Sequence, residues 1–144
     1  MTNFFASELA TNLAVLVARL LLGGQLLLAG YNHLYQGIGA FAHDNRGNVP
    51  SWMGREAATG YSSCLPFLEM AAGGMLLLGV TTRVGGMISV VTTFVVFSAH
   101  SFKFTNSPLP VYLAVSVQLL CLGGGRFTID RLVPRPKRGE QASA

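Results

Sequence analysis

Charged positions divide the chain into apolar runs. Between Glu8 and Asp44 the only Asp, Glu, Lys or Arg is Arg19. None falls between Glu69 and Arg83, between Arg83 and Lys103, or between Lys103 and Arg126. Each interval is filled with Leu, Val, Ala, Gly, Met and Phe. A helix needs about 20 such residues to cross the hydrocarbon core of a bilayer. The pattern predicts an all-α fold, a transmembrane four-helix bundle with helices at about 9–34, 62–82, 84–100 and 109–125. Pro108 and Pro110 suit the start of the last helix, and Gly123–Gly125 suit its end. A tight turn at Thr82–Arg83 separates the second and third helices. Residues 1–133 then form one membrane domain, with an outer loop at 35–61 and a basic cytoplasmic tail at 134–144. Within the loop, "GIGAFAHD" can form one short amphipathic turn at the interface. The loop as a whole reads as a connector.

Composition agrees with the pattern. The 144 residues are 51% hydrophobic and only 11% charged, against about 25% charged in a soluble domain. Mean hydropathy is +0.47. The N-terminus lacks the basic start of a signal peptide, so it reads as a retained first helix. The formal charge of +4 comes mostly from the last residues, "RFTIDRLVPRPKRGEQASA". A basic segment beside a membrane helix suits an anionic lipid surface better than nucleic acid. Four spans would put Arg83, Arg126, Arg131, Arg135, Lys137 and Arg138 on one side, and Arg46, Arg55 and Lys103 on the other. The positive-inside rule then places both termini in the cytoplasm. Tyr31, Tyr35, Trp52, Tyr61 and Tyr112 fall near the opposite boundary, as an aromatic belt would. Cys64 and Cys121 fall near opposite faces, too far apart to pair.

Two charges at membrane depth are the first candidates for chemistry. Arg19, Gly23, Leu26, Gly30 and His33 share one face of the first helix. Glu69, Gly73, Leu76 and Val80 share one face of the second. The expected offset between Arg19 and Glu69 is about 9 Å along the bundle. An extended arginine could close much of it and form a buried pair. Such a pair can staple helices, or it can serve a quinone carbonyl or a proton relay. Ser89, Thr93, Phe97 and His100 share a face of the third helix. Ala114, Gln118, Cys121 and Gly125 share one of the fourth, and both faces are expected to point inward. The quinone or proton-site candidates are therefore Arg19, Glu69, His33, His100 and Gln118, closed outward by His33, His100 and Lys103. Gly23, Gly30 and Gly73 are expected to serve helix packing. His33 and His100 suit interfacial hydrogen bonding or a quinone contact. No HxxxH, ExxH or CxxCH spacing supports haem or metal ligation. No nucleophile–base set and no nucleotide fingerprint is present, so hydrolysis or hydride chemistry by this chain alone is not expected.

In order along the chain, four segments resemble the DoxX family of small four-helix membrane proteins. "ARLLLGGQLLLAGYNHL" resembles the first helix, with Arg19 and Gly30. "LPFLEMAAGGMLLLGVTTRVGG" resembles the second, with Glu69, Gly73, Gly79 and the Thr82–Arg83 turn. "FVVFSAHSF" resembles the end of the third, with His100. "CLGGGRFTIDRLV" resembles the closing segment, with Gly123, Gly125, Thr128 and Asp130. The family's first helix often ends in lysine, where this chain has His33. The resemblance implies a multi-pass protein of the bacterial inner membrane. One branch of the family is similar to the membrane subunit of a thiosulfate:quinone oxidoreductase. Other members associate with redox or respiratory complexes, and MauE-like ones take part in disulfide handling. A thiol role does not suit Cys64 and Cys121. Three readings follow: a subunit that docks with a redox or respiratory complex and contacts quinone, a purely structural assembly subunit, and a small proton-coupled transporter. The partners implied are lipid and other membrane subunits, with no covalently bound cofactor and no nucleic acid.

Overall fold

The computed structural model describes residues 2–99, 108–125 and 128, with the backbone alone for residues 2–7. His100, Lys103 and the 134–144 tail lie outside these residues. The described chain is helical: α1 Thr2–Gln36, α2 Ile38–Asp44, a short 3-10 helix Asn45–Asn48, α3 Arg55–Leu78, α4 Thr82–Ala99 and α5 Leu109–Leu122. No strand occurs among the described residues. Among the described residues, three segments are long and apolar enough to cross a membrane: Glu8–Gln36, Arg55–Leu78 and Thr82–Ala99. The remaining apolar helix, α5, has 14 residues, about 21 Å of rise.

The boundaries shift where hydropathy and helix propensity disagree. The apolar pattern starts the second long helix at Ser62, but α3 begins at Arg55. Its first turn, "REAA", holds good helix formers, with Glu56 favourably placed at the positive end of the helix dipole. The turn after α3 also comes earlier than Thr82–Arg83. Gly79 takes a left-handed conformation at φ 69°. The Val80 N–H then donates to the Met75 carbonyl at 3.1 Å, which closes the helix. Thr82 begins α4 instead of ending the helix before it.

The long helices pack in a ring, α1 on α3, α3 on α4, α4 on α5 and α5 back on α1. Val15, Leu22, Leu76 and Leu119 meet at its centre. Glycines set the closest contact, between α1 and α3. A Cβ on Gly30 would come 2.6 Å from the Pro66 carbonyl oxygen. One on Gly73 would come 2.6 Å from the Leu27 amide nitrogen, and one on Gly23 would come 3.1 Å from the Gly73 oxygen. The same contacts fix the register, with Gly30 beside Pro66–Met70, Gly23 beside Gly73–Leu77 and Arg19 beside Gly79. Large apolar side chains such as Leu21, Leu28, Phe94 and Val111 point outward, as lipid contact allows.

Two expectations about faces change. The inward face of α5 carries Ser116 and Leu119, while Ala114, Gln118 and Cys121 are exposed. Gln118 therefore lies outside the bundle interior. The helix is apolar nearly all round, so the pattern alone marked no buried face. The loop expected at 35–61 is also more than a connector, and the short turn expected at "GIGAFAHD" is α2. Its α2 packs on α1 and α3, and its 3-10 helix reaches α3 and α4. Phe41, Ala42, Asn45 and Val49 are buried there. Together they cap one end of the ring.

Candidate functional site

Arg19 does not meet Glu69. Its guanidinium turns to the opposite end of the bundle, where Nε donates to the Leu76 carbonyl at 3.0 Å and Nη1 to the Gly124 carbonyl at 2.9 Å. The residue is 1% exposed. The first acceptor lies in the last turn of α3 and the second just past the end of α5, where helix carbonyls lack partners and the dipoles are negative. Gly79 makes room for the guanidinium, since a Cβ there would collide with it.

The register explains why the expected pair does not form. Glu69 lies ten residues before Gly79, so it is about 15 Å further along the bundle than Arg19. Helix side chains also lean toward their own N-terminus. The two helices are antiparallel, so Arg19 and Glu69 lean apart. The same rule brings Glu69 and His33 together. Glu69 leans toward the capped end and His33 leans down from it. His33 Nδ1 lies 2.9 Å from Glu69 Oε2, with side chains 27% and 13% exposed. The imidazole also stacks on Phe41 of α2, with centroids 4.0 Å apart. The cap therefore fixes the ring plane while Glu69 fixes its Nδ1 edge, and Nε2 has no hydrogen-bond partner among the described residues.

This pair forms part of the wall of a cavity of about 280 Å³. The other polar walls come from Gln25, Asn45, Asn48, Thr92, Thr93 and Tyr112, and Leu22, Leu26 and Leu65 contribute apolar surface. Beneath α2, Asn45 Nδ2 donates to Ser62 Oγ at 3.2 Å, and Asn48 Nδ2 donates to Asn45 Oδ1 at 3.1 Å. The Tyr61 hydroxyl donates to the Thr92 carbonyl at 3.4 Å. Deeper in the ring, Ser89 and Ser116 hydroxyls share a hydrogen bond of 2.6 Å. Nothing in the sequence marked Asn45, Asn48 or Phe41 for this role, because "FAHDNRGN" carries no long periodic signal. Tyr61 and Tyr112 looked like interfacial aromatics but turn inward. Tyr31, Tyr35 and Trp52 are exposed near the capped end.

Of the sequence candidates, the structure thus gathers Glu69 and His33 on one cavity. Arg19 goes to the helix ends, Gln118 to the outer surface, and His100 lies outside the described residues. Gly23, Gly30 and Gly73 lie in the α1–α3 contact. Both cysteines are free and exposed.

The family model for DoxX matches residues 14–102, more than half of the 144. No curated protein and no solved structure matches the chain. The matched stretch contains Arg19, the glycine contacts of α1 and α3, and both members of the His33–Glu69 pair. The chain belongs to the DoxX family and is a multi-pass membrane protein.

Proposed function

We propose that this protein is a membrane subunit of a redox or respiratory complex and holds a quinone head group at His33 and Glu69. The observation that carries the reading is the 2.9 Å His33–Glu69 contact on the wall of a cavity inside an apolar bundle. A quinone takes up two electrons and two protons on reduction to quinol. The electrons come from the partner complex. The His33–Glu69 pair supplies a group that holds a proton at the ring. With Nδ1 bonded to Glu69, an imidazolium can donate from Nε2 to a quinone carbonyl, and a neutral imidazole can accept there from a quinol hydroxyl. A cavity of about 280 Å³ lies just below the usual range of small-molecule pockets, about 300–1,000 Å³. That size suits one ring.

In this reading four helices cross the bacterial inner membrane, and both termini are cytoplasmic. The basic residues of the Arg83 turn and the C-terminal segment support that orientation. The cavity lies near the capped, outer end. The transporter reading draws less support, since Val15, Leu22, Leu76 and Leu119 fill the ring between the cavity and the Arg19 end. The purely structural reading fits Arg19 but leaves the His33–Glu69 contact unused.

Glu69→Gln tests the proposal. Glutamine keeps the shape and the hydrogen bond but cannot carry the charge. Purified in mild detergent, the wild type is expected to bring redox partners and to bind quinone. The variant is expected to keep the partners and lose quinone-linked electron transfer by at least about tenfold, the range of one general acid–base group being about 10²–10⁴. Loss of the partners in the variant would instead favour the assembly role. A wild-type protein recovered alone and binding no quinone would end the proposal.

A further inference from the structure

Gln25 has a carboxamide that the packing of the bundle does not explain. It lies on α1 six residues beyond Arg19 and eight before His33, about 9 Å and 12 Å away along the helix. Both distances place it within the apolar part of the span. Its carboxamide makes no hydrogen bond among the described residues. An amide at that depth has no bulk water to satisfy it, so leaving it unpaired is costly. Gln25 is exposed on the outside of the bundle, yet it also lines the cavity that holds His33 and Glu69. The cavity therefore reaches the outer surface of the bundle at this residue.

The surrounding walls say where that opening leads. With Gln25, the cavity wall includes Leu26 and Ala29 of α1 and Leu109 and Tyr112 of α5. Further along, α1 and α5 close on each other around Val15, Leu22 and Leu119. Toward the capped end the way is obstructed by buried Phe41 and Asn45 and by the Asn48–Asn45–Ser62 hydrogen bonds. Among the described residues, the route these walls leave runs sideways between α1 and α5, at hydrocarbon depth.

We propose that the cavity opens laterally into the bilayer between α1 and α5, and that Gln25 at this window is a binding residue for a tailed ring compound. Its amide N–H donates to a carbonyl oxygen of the head group while the apolar tail stays among the lipid chains. The cavity has room for a ring and none for a long tail, so the tail must leave through an apolar opening. The identity of the head group rests on the quinone reading; the window does not.

One sample in lipid nanodiscs separates the two. Trp52 is the only tryptophan. The double variant Trp52→Phe/Tyr112→Trp moves the fluorophore to the cavity wall beside the window. Leu109→Trp serves as the second reporter if Tyr112→Trp does not fold. Lipids brominated in mid-chain are expected to quench this tryptophan at least twofold, and aqueous acrylamide much less. A benzoquinone with a ten-carbon tail is expected to quench it saturably. Adding Gln25→Leu, which suits a lipid-facing position, should leave the bromine quenching unchanged. It should weaken the quinone about fivefold, the range of one neutral hydrogen bond. Quenching by acrylamide but not by brominated lipid would overturn the window, whatever the ligand. Bromine quenching without saturable quinone quenching would leave the window standing and overturn both the quinone reading and the role of Gln25. Unchanged quinone affinity in Gln25→Leu would overturn the role of Gln25 alone.

Discussion

At the scale of single residues, Arg19 and Glu69 show how direction decides which partner a side chain meets. Both were legible in the sequence as charges inside apolar runs, and both are held inside the bundle. Their partners were not legible, because a linear count of offset ignores the lean of each side chain. On antiparallel helices that lean doubles the error. It carried Arg19 away from the site and brought His33 into it. Arg19 is then a cap for two helix ends. Arg19→Met removes the donors to Leu76 and Gly124 carbonyls and is expected to cost about 3 kcal/mol, since bonds to charged groups contribute about 1.5–3 kcal/mol each. Arg19→Lys should recover only part of the loss, because an ammonium lacks the planar fork that reaches two acceptors. Thermal unfolding in detergent measures both. A Met variant as stable as the wild type would remove Arg19 from this role.

At the scale of elements, the α1–α3 contact depends on backbone approach. A Cβ at Gly30 would sit 2.6 Å from the Pro66 oxygen, 2.7 Å from the Met70 Cγ and 3.0 Å from the Met70 nitrogen. Two of those atoms are backbone, so relief requires the helices to part. Gly30→Ala and Gly73→Ala are each expected to destabilise by about 1–3 kcal/mol, the usual cost of overpacking. Gly24→Ala is the control, since its Cβ would meet nothing within 4 Å. Chemical unfolding of the three variants checks this, and equal effects at Gly24 and Gly30 would contradict the close contact. Parting α1 from α3 would also separate His33 from Glu69, so the packing and the site stand or fall together. The long helices were readable because charge-free apolar runs mark them. The cap was readable only in part. The short amphipathic turn expected at "GIGAFAHD" is α2, Ile38–Asp44, but its burial depends on where α1 and α3 leave a gap. That is tertiary information, and it is what gives Phe41 its place over the imidazole.

At the scale of the whole molecule, the number of spans decides which side each terminus faces. Three described segments are long and apolar enough to cross by themselves, and an odd number would put the termini on opposite sides. The α5 helix rises only about 21 Å, less than the roughly 30 Å hydrocarbon core. A helix that stops short in a membrane leaves carbonyls without water, which is tolerated only where protein satisfies them. Arg19 does this at Gly124, and the Gly123 N–H, at a positive φ of 69°, donates to the Leu119 carbonyl at 2.9 Å. With its end provided for, α5 can serve as a fourth crossing despite its length, and four crossings return the chain to its starting side. With the proposed cytoplasmic termini, a fluorescent reporter active only in the cytoplasm is expected to light up at either terminus and to stay dark when inserted at 51–54 between the 3-10 helix and α3. Opposite signals at the two termini would mean that α5 does not cross. The cavity would then lack its fourth wall in the membrane, and the pairing of Tyr112 and Leu109 with Glu69 around one ring-sized space would have to arise at the surface instead.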